Sequence, residues 1–217
     1  MPRTRIKICG VRDPETALIA ADHGADAIGL VFAPSSPRYV EPERAWEVAA
    51  YLPPFVSTVG LFVDPTADHF AGTREICPFD IGQLHGFEPI DVARQLGPGL
   101  IKAIRFDPAT IEEDLWNWNQ VDEIIALLID GSPGGEGTRF DWSALAQVSH
   151  LCDHPIILAG GLTPDNVGEA IRAVRPYGVD VSSGVESARG VKDHGKIRAF
   201  CDAVRDADTE AARTASE

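Results

Sequence analysis

Eight short apolar runs, each followed by a stretch of helical periodicity, constrain this chain more than any other feature. They lie at 6–9, 27–32, 58–63, 79–84, 100–106, 124–130, 155–159 and 178–182. Several are almost uninterrupted, and Ile124-Ile125-Ala126-Leu127-Leu128-Ile129 is the clearest. A strand that is apolar on both faces must be covered on both sides, as strands of a parallel sheet are. The segments between read as amphipathic helices. Asp13-Pro14-Glu15 opens one, with Asp capping free N–H groups and Pro at the first helical position. Glu41-Pro42-Glu43 and Thr163-Pro164-Asp165 repeat the device, Asp141-Trp142-Ser143 opens the sixth helix, and His23-Gly24 closes the first.

Eight such alternations in about 200 residues predict an α/β chain built as a minimal (β/α)8 TIM barrel. A doubly wound open sheet is the competitor, but it usually has fewer units and a switch point. No Pro/Gly/Ser-rich linker or charge block divides the chain, so residues 1–217 are expected to form one barrel domain. Past about Val204 the sequence turns rich in Asp, Glu, Ala and Thr, so about 205–217 is expected to be a frayed acidic tail.

The formal net charge of −14 disfavours nucleic acid and anionic membranes as partners, because both need a basic footprint. It leaves room for a small anion held by a few local donors. No apolar stretch approaches the roughly 20 residues that span a bilayer, and no signal-peptide hydrophobic region follows the polar start. Cys9, Cys77, Cys152 and Cys201 show no C-x-x-C spacing. They read as reduced thiols of a cytoplasmic protein, without a metal site.

Residues two apart on a strand face the same way. Lys7 therefore points with Cys9, Gln83 with His85, Leu128 with Asp130, and Asp180 with Ser182. In a barrel the polar members of these pairs face inward at the carboxyl ends, where catalytic groups of such barrels lie. Each has a plainer reading as well. Cys9 can be a buried structural thiol, although a cation at Lys7 would favour its thiolate. Asp130 can cap the turn that follows it, and His85 can be a rim histidine. Asp180 can be the partner of Lys7 or Lys102 in a salt bridge inside the barrel.

Two glycine-containing loops follow the last two strands: Ala159-Gly160-Gly161-Leu162-Thr163-Pro164 and Ser182-Ser183-Gly184-Val185-Glu186. Backbone without bulky side chains can approach an anion there, and loops seven and eight of barrels frequently hold phosphate. The loop Ala33-Pro34-Ser35-Ser36-Pro37-Arg38-Tyr39 carries an arginine suited to bidentate capture of a carboxylate, or else a solvated surface arginine. The glycine-rich segment 131–139 reads as a lid or simply a flexible loop.

These segments together resemble the phosphoribosylanthranilate isomerase family of tryptophan biosynthesis. The resemblance rests on Lys7-Ile8-Cys9-Gly10, Gly24 to Gly29, Ser35 to Tyr39, Gln83-Leu84-His85-Gly86, Lys102 to Arg105, Phe140-Asp141-Trp142, Leu158 to Pro164 and Val179 to Glu186, in order along the chain. It implies a (β/α)8 barrel that isomerises N-(5′-phosphoribosyl)anthranilate by an Amadori rearrangement without a cofactor. It also implies Cys9 as general base and Asp130 as general acid. Arg38 would contact the anthranilate carboxylate, and phosphate would lie against Gly160, Gly161, Ser183 and Gly184. His85 and Asp180 would line the pocket, and Lys7, on the face of Cys9, is expected with them among the substrate-binding residues. The family's loop six commonly reads G-G-T-G-K-x-F-D-W. Here Glu136 stands for the threonine, and the basic residue is Arg139, one position on.

The implied chemistry needs a proton on the ribose ring oxygen and a proton taken from C2′. One acid and one base suffice. Three rivals are weighed against it. The histidine-pathway aminoaldose isomerase uses two aspartates, so Cys9 argues against it. A ribulose-phosphate epimerase would need metal-binding His and Asp on several strands. A sensor barrel should have lost the acid or the base. The expected partner is a small phosphorylated anion, and the chain is expected to be a monomer or homodimer.

Overall fold

The structure, a computed structural model, describes residues 3–131 and 140–214. Eight parallel strands form a closed barrel in chain order. They are β1 (Arg5–Cys9), β2 (Ala27–Val31), β3 (Ser57–Phe62), β4 (Ile81–Leu84), β5 (Leu100–Arg105), β6 (Ile124–Asp130), β7 (Ile156–Ala159) and β8 (Gly178–Val181). Between and after them run α1 (Pro14–Asp22), α2 (Pro42–Ala50), α3 (Ala67–Ile76), α4 (Ile90–Leu96), α5 (Ile111–Trp118), α6 (Trp142–Val148), α7 (Val167–Val174) and α8 (His194–Thr214). This is the TIM barrel, and closure of β8 onto β1 excludes the open doubly wound sheet.

Strand alternation sorts the side chains into two cores. Inward residues such as Val59, Ile101, Ala103, Leu128 and Ile157 fill the barrel. Outward residues such as Ile8, Ile28, Leu84, Leu127 and Ile129 join the helices in a larger core. The strands are apolar throughout because they serve both cores. Phe32, Phe62, Phe70 and Phe79 form an aromatic cluster outside β3, with ring centroids 4.8–6.0 Å apart. Gly60 and Gly82 leave the space those rings occupy, since a Cβ at either would come within 2.8 Å of a phenyl carbon.

The local start signals act in part as expected. Asp13 accepts from the Thr16 amide with Pro14 opening α1, and Asp141 accepts from Ser143 and Ala144 at the start of α6. Glu41 precedes Pro42 but makes no side-chain cap. At 163–166 the chain first turns, and α7 begins only at Val167. There the Asn166 side chain receives the Thr163 amide.

A small antiparallel hairpin, β9 (Glu186–Ala188) with β10 (Val191–Lys192), separates β8 from α8. It carries no strong sequence signal. The acidic tail expected to fray past about Val204 is instead helical to Thr214. Ala207 is buried there, and the Asp208 carboxylate accepts from the Thr4 amide and hydroxyl at 2.8 and 2.7 Å. Composition alone misses this, because the anchoring partner sits at the other end of the chain. Asp208→Ala should therefore cost about 1–2 kcal/mol and lower Tm by about 2–8 °C. Thermal unfolding followed by circular dichroism checks it, and an unchanged Tm would mean that the end of α8 contributes nothing.

Candidate active site

The carboxyl ends of the strands open into a cavity of about 360 Å³. Cys9, Asp130, His85, Asp180 and Arg38 line it from β1, β6, β4, β8 and the β2–α2 loop. Gly160, Gly161 and Ser183 line it from the two loops expected to bind phosphate. Apolar Val31, Leu61 and Ala159 complete the wall. Residues distant in the sequence thus share one chamber because their strands end at one rim.

Cys9 is 4% exposed and stands beside Gly29 in the β1–β2 register. A Cβ at residue 29 would lie 2.8 Å from its Sγ, so the glycine in β2 makes the thiol's space. Beneath Cys9, the Lys7 Nζ pairs with Asp180 Oδ1 at 2.9 Å where β1 meets β8. The salt-bridge reading of Asp180 is therefore realised with Lys7. Lys102 faces outward, where it pairs with Glu88 at 2.5 Å. Lys7 itself is not among the residues that line the cavity.

The electrostatics of Cys9 differ from what its neighbour alone suggests. Burial raises the thiol's pKa above its ordinary value, outweighing the lowering by Lys7 and Lys192, with the Asp180 charge adding to the rise. The expected depression by Lys7 is present but is not the largest influence. Lys7 is also raised: burial works against its charge, but Asp180 and Cys9 hold the proton on it. It therefore remains an ammonium under the thiol.

Asp130 is 5% exposed at the end of β6. His85 Nε2 lies 3.3 Å from its Oδ2, and Gln83 Nε2 lies 2.9 Å from His85 Nδ1. Gln83 and Asp130 thus flank the two ring nitrogens of His85. Alternation on β4 places Gln83 and His85 together as expected. Gly160, at φ +84, passes so close to Asp130 that a Cβ there would lie 2.6 Å from Oδ1. Gly161 follows at φ +66. Only glycine adopts this pair of left-handed conformations cheaply. Gly184 is packed closely against the Leu162 carbonyl, and Ser183 beside it lines the cavity.

Arg38 is buried rather than solvated, and its stem packs over Gly10. Its Nε and one Nη clasp the Glu186 carboxylate at 2.7 and 3.1 Å. Glu186 also accepts from Lys192 Nζ at 3.0 Å and from the Gly190 amide at 3.0 Å. Glu186 appeared in the sequence only as the end of a motif, and Lys192 was not singled out at all. No local pattern marks Lys192; the hairpin alone brings it to Glu186. The loop-six substitutions at Glu136 and Thr138, with Arg139 and the lid reading, lie outside the described residues.

The fold and cavity together define a TIM barrel with a candidate site at its carboxyl rim. A family model described as N-(5′-phosphoribosyl)anthranilate isomerase matches residues 6–203. An N-(5′-phosphoribosyl)anthranilate isomerase of Magnetococcus marinus is 49% identical over 93% of this chain and 95% of its own. A solved phosphoribosyl anthranilate isomerase in complex with reduced 1-(o-carboxyphenylamino)-1-deoxyribulose 5-phosphate is similar with TM-score 0.83 and 37% identity, covering 94% of this chain and 99% of that one. A structure of generated monomers of the dimeric phosphoribosylanthranilate isomerase from Thermotoga maritima gives TM-score 0.83 and 35% identity, with the same coverage. This chain belongs to the N-(5′-phosphoribosyl)anthranilate isomerase family, isomerases of tryptophan biosynthesis.

Burial would raise the Glu186 carboxyl, but the Arg38 hydrogen bond, the Lys192 charge and the Gly190 amide bring it down from 4.5 to about 2. A depressed folded-state pKa contributes stability that is present above the unfolded value and lost as pH falls through the folded one. Between pH 4.5 and 2 the parent protein should lose a contribution on the order of 3 kcal/mol that Glu186→Gln does not have. Urea denaturation midpoints across that range check it, and parallel curves for the two proteins would contradict the assignment.

Proposed function

We propose that Cys9 and Asp130 are the base and acid with which this chain converts N-(5′-phosphoribosyl)anthranilate to the corresponding 1-deoxyribulose 5-phosphate. The observation that carries the reading is the shared cavity. A thiol and a carboxyl group from strands on different sides of the barrel open to it, with the Gly160-Gly161 loop on one flank and Arg38 on another.

In this reading Asp130 gives its proton to the ribose ring oxygen as the bond from C1′ to that oxygen breaks. The anilino nitrogen lone pair forms the C1′=N bond of a Schiff base. The Cys9 thiolate then takes the proton from C2′, and the electron pair moves to give an enolamine. Tautomerisation to the ketone leaves the atom count unchanged, as an isomerisation requires. His85 holds the carboxyl group of Asp130 in place. Lys7 and Lys192 counter the burial of Cys9 and maintain the thiolate fraction. Gly160, Gly161 and Ser183 receive the phosphate, and Arg38 the anthranilate carboxylate. Apart from orientation, each group does work that a single proton transfer or anion contact can supply.

The residues act within one barrel domain, and we place the reaction in the cytoplasm, consistent with free thiols at Cys9, Cys77, Cys152 and Cys201. The net charge argues against nucleic acid as a partner. Of monomer and homodimer, the homodimer is favoured. Pro53, Pro54 and Phe55, before β3 and hence at the end of the barrel opposite the cavity, form an exposed apolar tip, with Phe55 held at φ +73. The Thermotoga maritima relative is described as dimeric.

The turnover test is loss of substrate fluorescence on addition of the protein. Cys9→Ser and Asp130→Asn should each reduce kcat by roughly 10²- to 10⁴-fold while leaving Tm near that of the parent. Near-normal turnover in either folded variant would remove that residue from the acid–base pair. Sedimentation velocity should show a dimer that Phe55→Asp converts to monomers. A parent protein that sediments as a monomer at all concentrations rejects the quaternary reading.

A further inference from the structure

The β9–β10 hairpin carries a buried charge cluster of which the acid–base reading uses only the Lys192 charge. Glu186 and Lys192 are both buried within it, with side chains only 5% and 3% exposed. The Glu186 carboxylate gathers four donors: Arg38 Nε, Arg38 Nη2, Lys192 Nζ and the Gly190 amide. Lys192 also donates to the Ser182 carbonyl at 2.9 Å and lies 3.3 Å from its hydroxyl. That hydroxyl in turn donates to the Cys9 carbonyl at 3.1 Å. The hairpin's turn is pinned from outside. Arg12 donates to the Gly190 carbonyl at 2.6 Å, and a Cβ at Gly190 would lie 2.6 Å from the Pro37 carbonyl oxygen. The loop that bears Arg38 and the hairpin that bears Glu186 are thus packed as one unit.

A guanidinium has two forks. Side-on binding through Nε and one Nη fixes its plane and leaves the other Nη edge for a second carboxylate. A free arginine would lose several rotatable bonds on binding a ligand, and one already clasped has lost them beforehand. From this we infer that Glu186, held by Lys192, is the positioning residue that presents Arg38 to the substrate carboxylate and so sets the preference for a carboxylated aromatic amine. The inference rests on the reading that Arg38 meets that carboxylate. Glu186 touches no substrate in it and acts only through Arg38. The cluster of two cations and one carboxylate keeps one net positive charge at this wall, which suits an anionic ligand even in an acidic protein.

The test compares two ligands by equilibrium titration: the reduced product analogue 1-(o-carboxyphenylamino)-1-deoxyribulose 5-phosphate, and its counterpart without the ring carboxyl group. Arg38→Ala should weaken the first about ten-fold or more and leave the second unchanged. Glu186→Gln should do the same, and combining it with Arg38→Ala should add nothing. Lys192→Met, which loosens the same carboxylate without deleting it, should shift the ratio of the two affinities in the same direction by less. It also serves as the reporter should Glu186→Gln fold poorly. Loss of affinity for both ligands alike would make Glu186 a merely structural residue and overturn the inference. So would unchanged or tighter binding of the carboxylated ligand in the folded Glu186 and Lys192 variants. If Arg38→Ala itself shows no selectivity, the carboxylate reading fails and this inference with it. If Arg38→Ala is selective and Glu186→Gln is not, only the positioning role fails.

Discussion

The ion pair between Lys7 and Asp180 sits at the seam where the last strand closes on the first. Strand pairing alone brings β1 and β8 together, but the pair fixes what their inward faces can be. A buried charge is costly unless its partner arrives in good geometry, and here the register sets Lys7 directly opposite Asp180. The two strands therefore gain this partner only in the closed barrel and in this register. Cys9 stands one layer above, at the end of the same face. Its burial, its cation and its carboxylate neighbour all follow from that closure.

The rim is organised by two further buried carboxylates, each of which ties backbone to a cation. Glu88 accepts from Lys102 and from the amides of Asp64 and Gly86, so it ties the segments that follow β3 and β4 to β5. Burial would raise its pKa, but Lys102 and the backbone N–H groups of Asp64 and of Glu88 itself hold it below the usual carboxylate value. Glu186 does the equivalent for the β2 loop and the hairpin on the other side. Loops are ordinarily the mobile part of such a barrel. Here each half of the mouth has an ionised side chain that satisfies several donors at once, so the walls that face Asp130 and Cys9 are held from behind.

The strands were legible because their apolar runs were nearly continuous, and the period of two placed Cys9, Gln83, His85, Asp130 and Asp180 on inward faces. Those residues do line or underlie one cavity. The glycine loops after β7 and β8 were legible too, since Gly160-Gly161 marks backbone that other residues adopt poorly. Local pattern failed where the deciding partner was distant. Asp208 looked like part of a frayed tail, but it receives Thr4 from the far end of the chain. Lys7 looked like the group that sets the thiol's charge, yet burial outweighs it. Gly184 carried no local mark of its close packing against the Leu162 carbonyl, which only the folded loops reveal.

By itself the sequence determined the number and kind of elements, the inward positions of the strand-end groups and the family to which the chain belongs. Periodicity, capping residues and ordered motifs are local properties that survive without coordinates. Only the tertiary structure decided which charge meets which: Lys7 with Asp180, Lys102 with Glu88, Arg38 with Glu186 and Lys192. Ion pairs across strands and loops depend on closure, register and burial, and none of these is encoded within reach of a single segment.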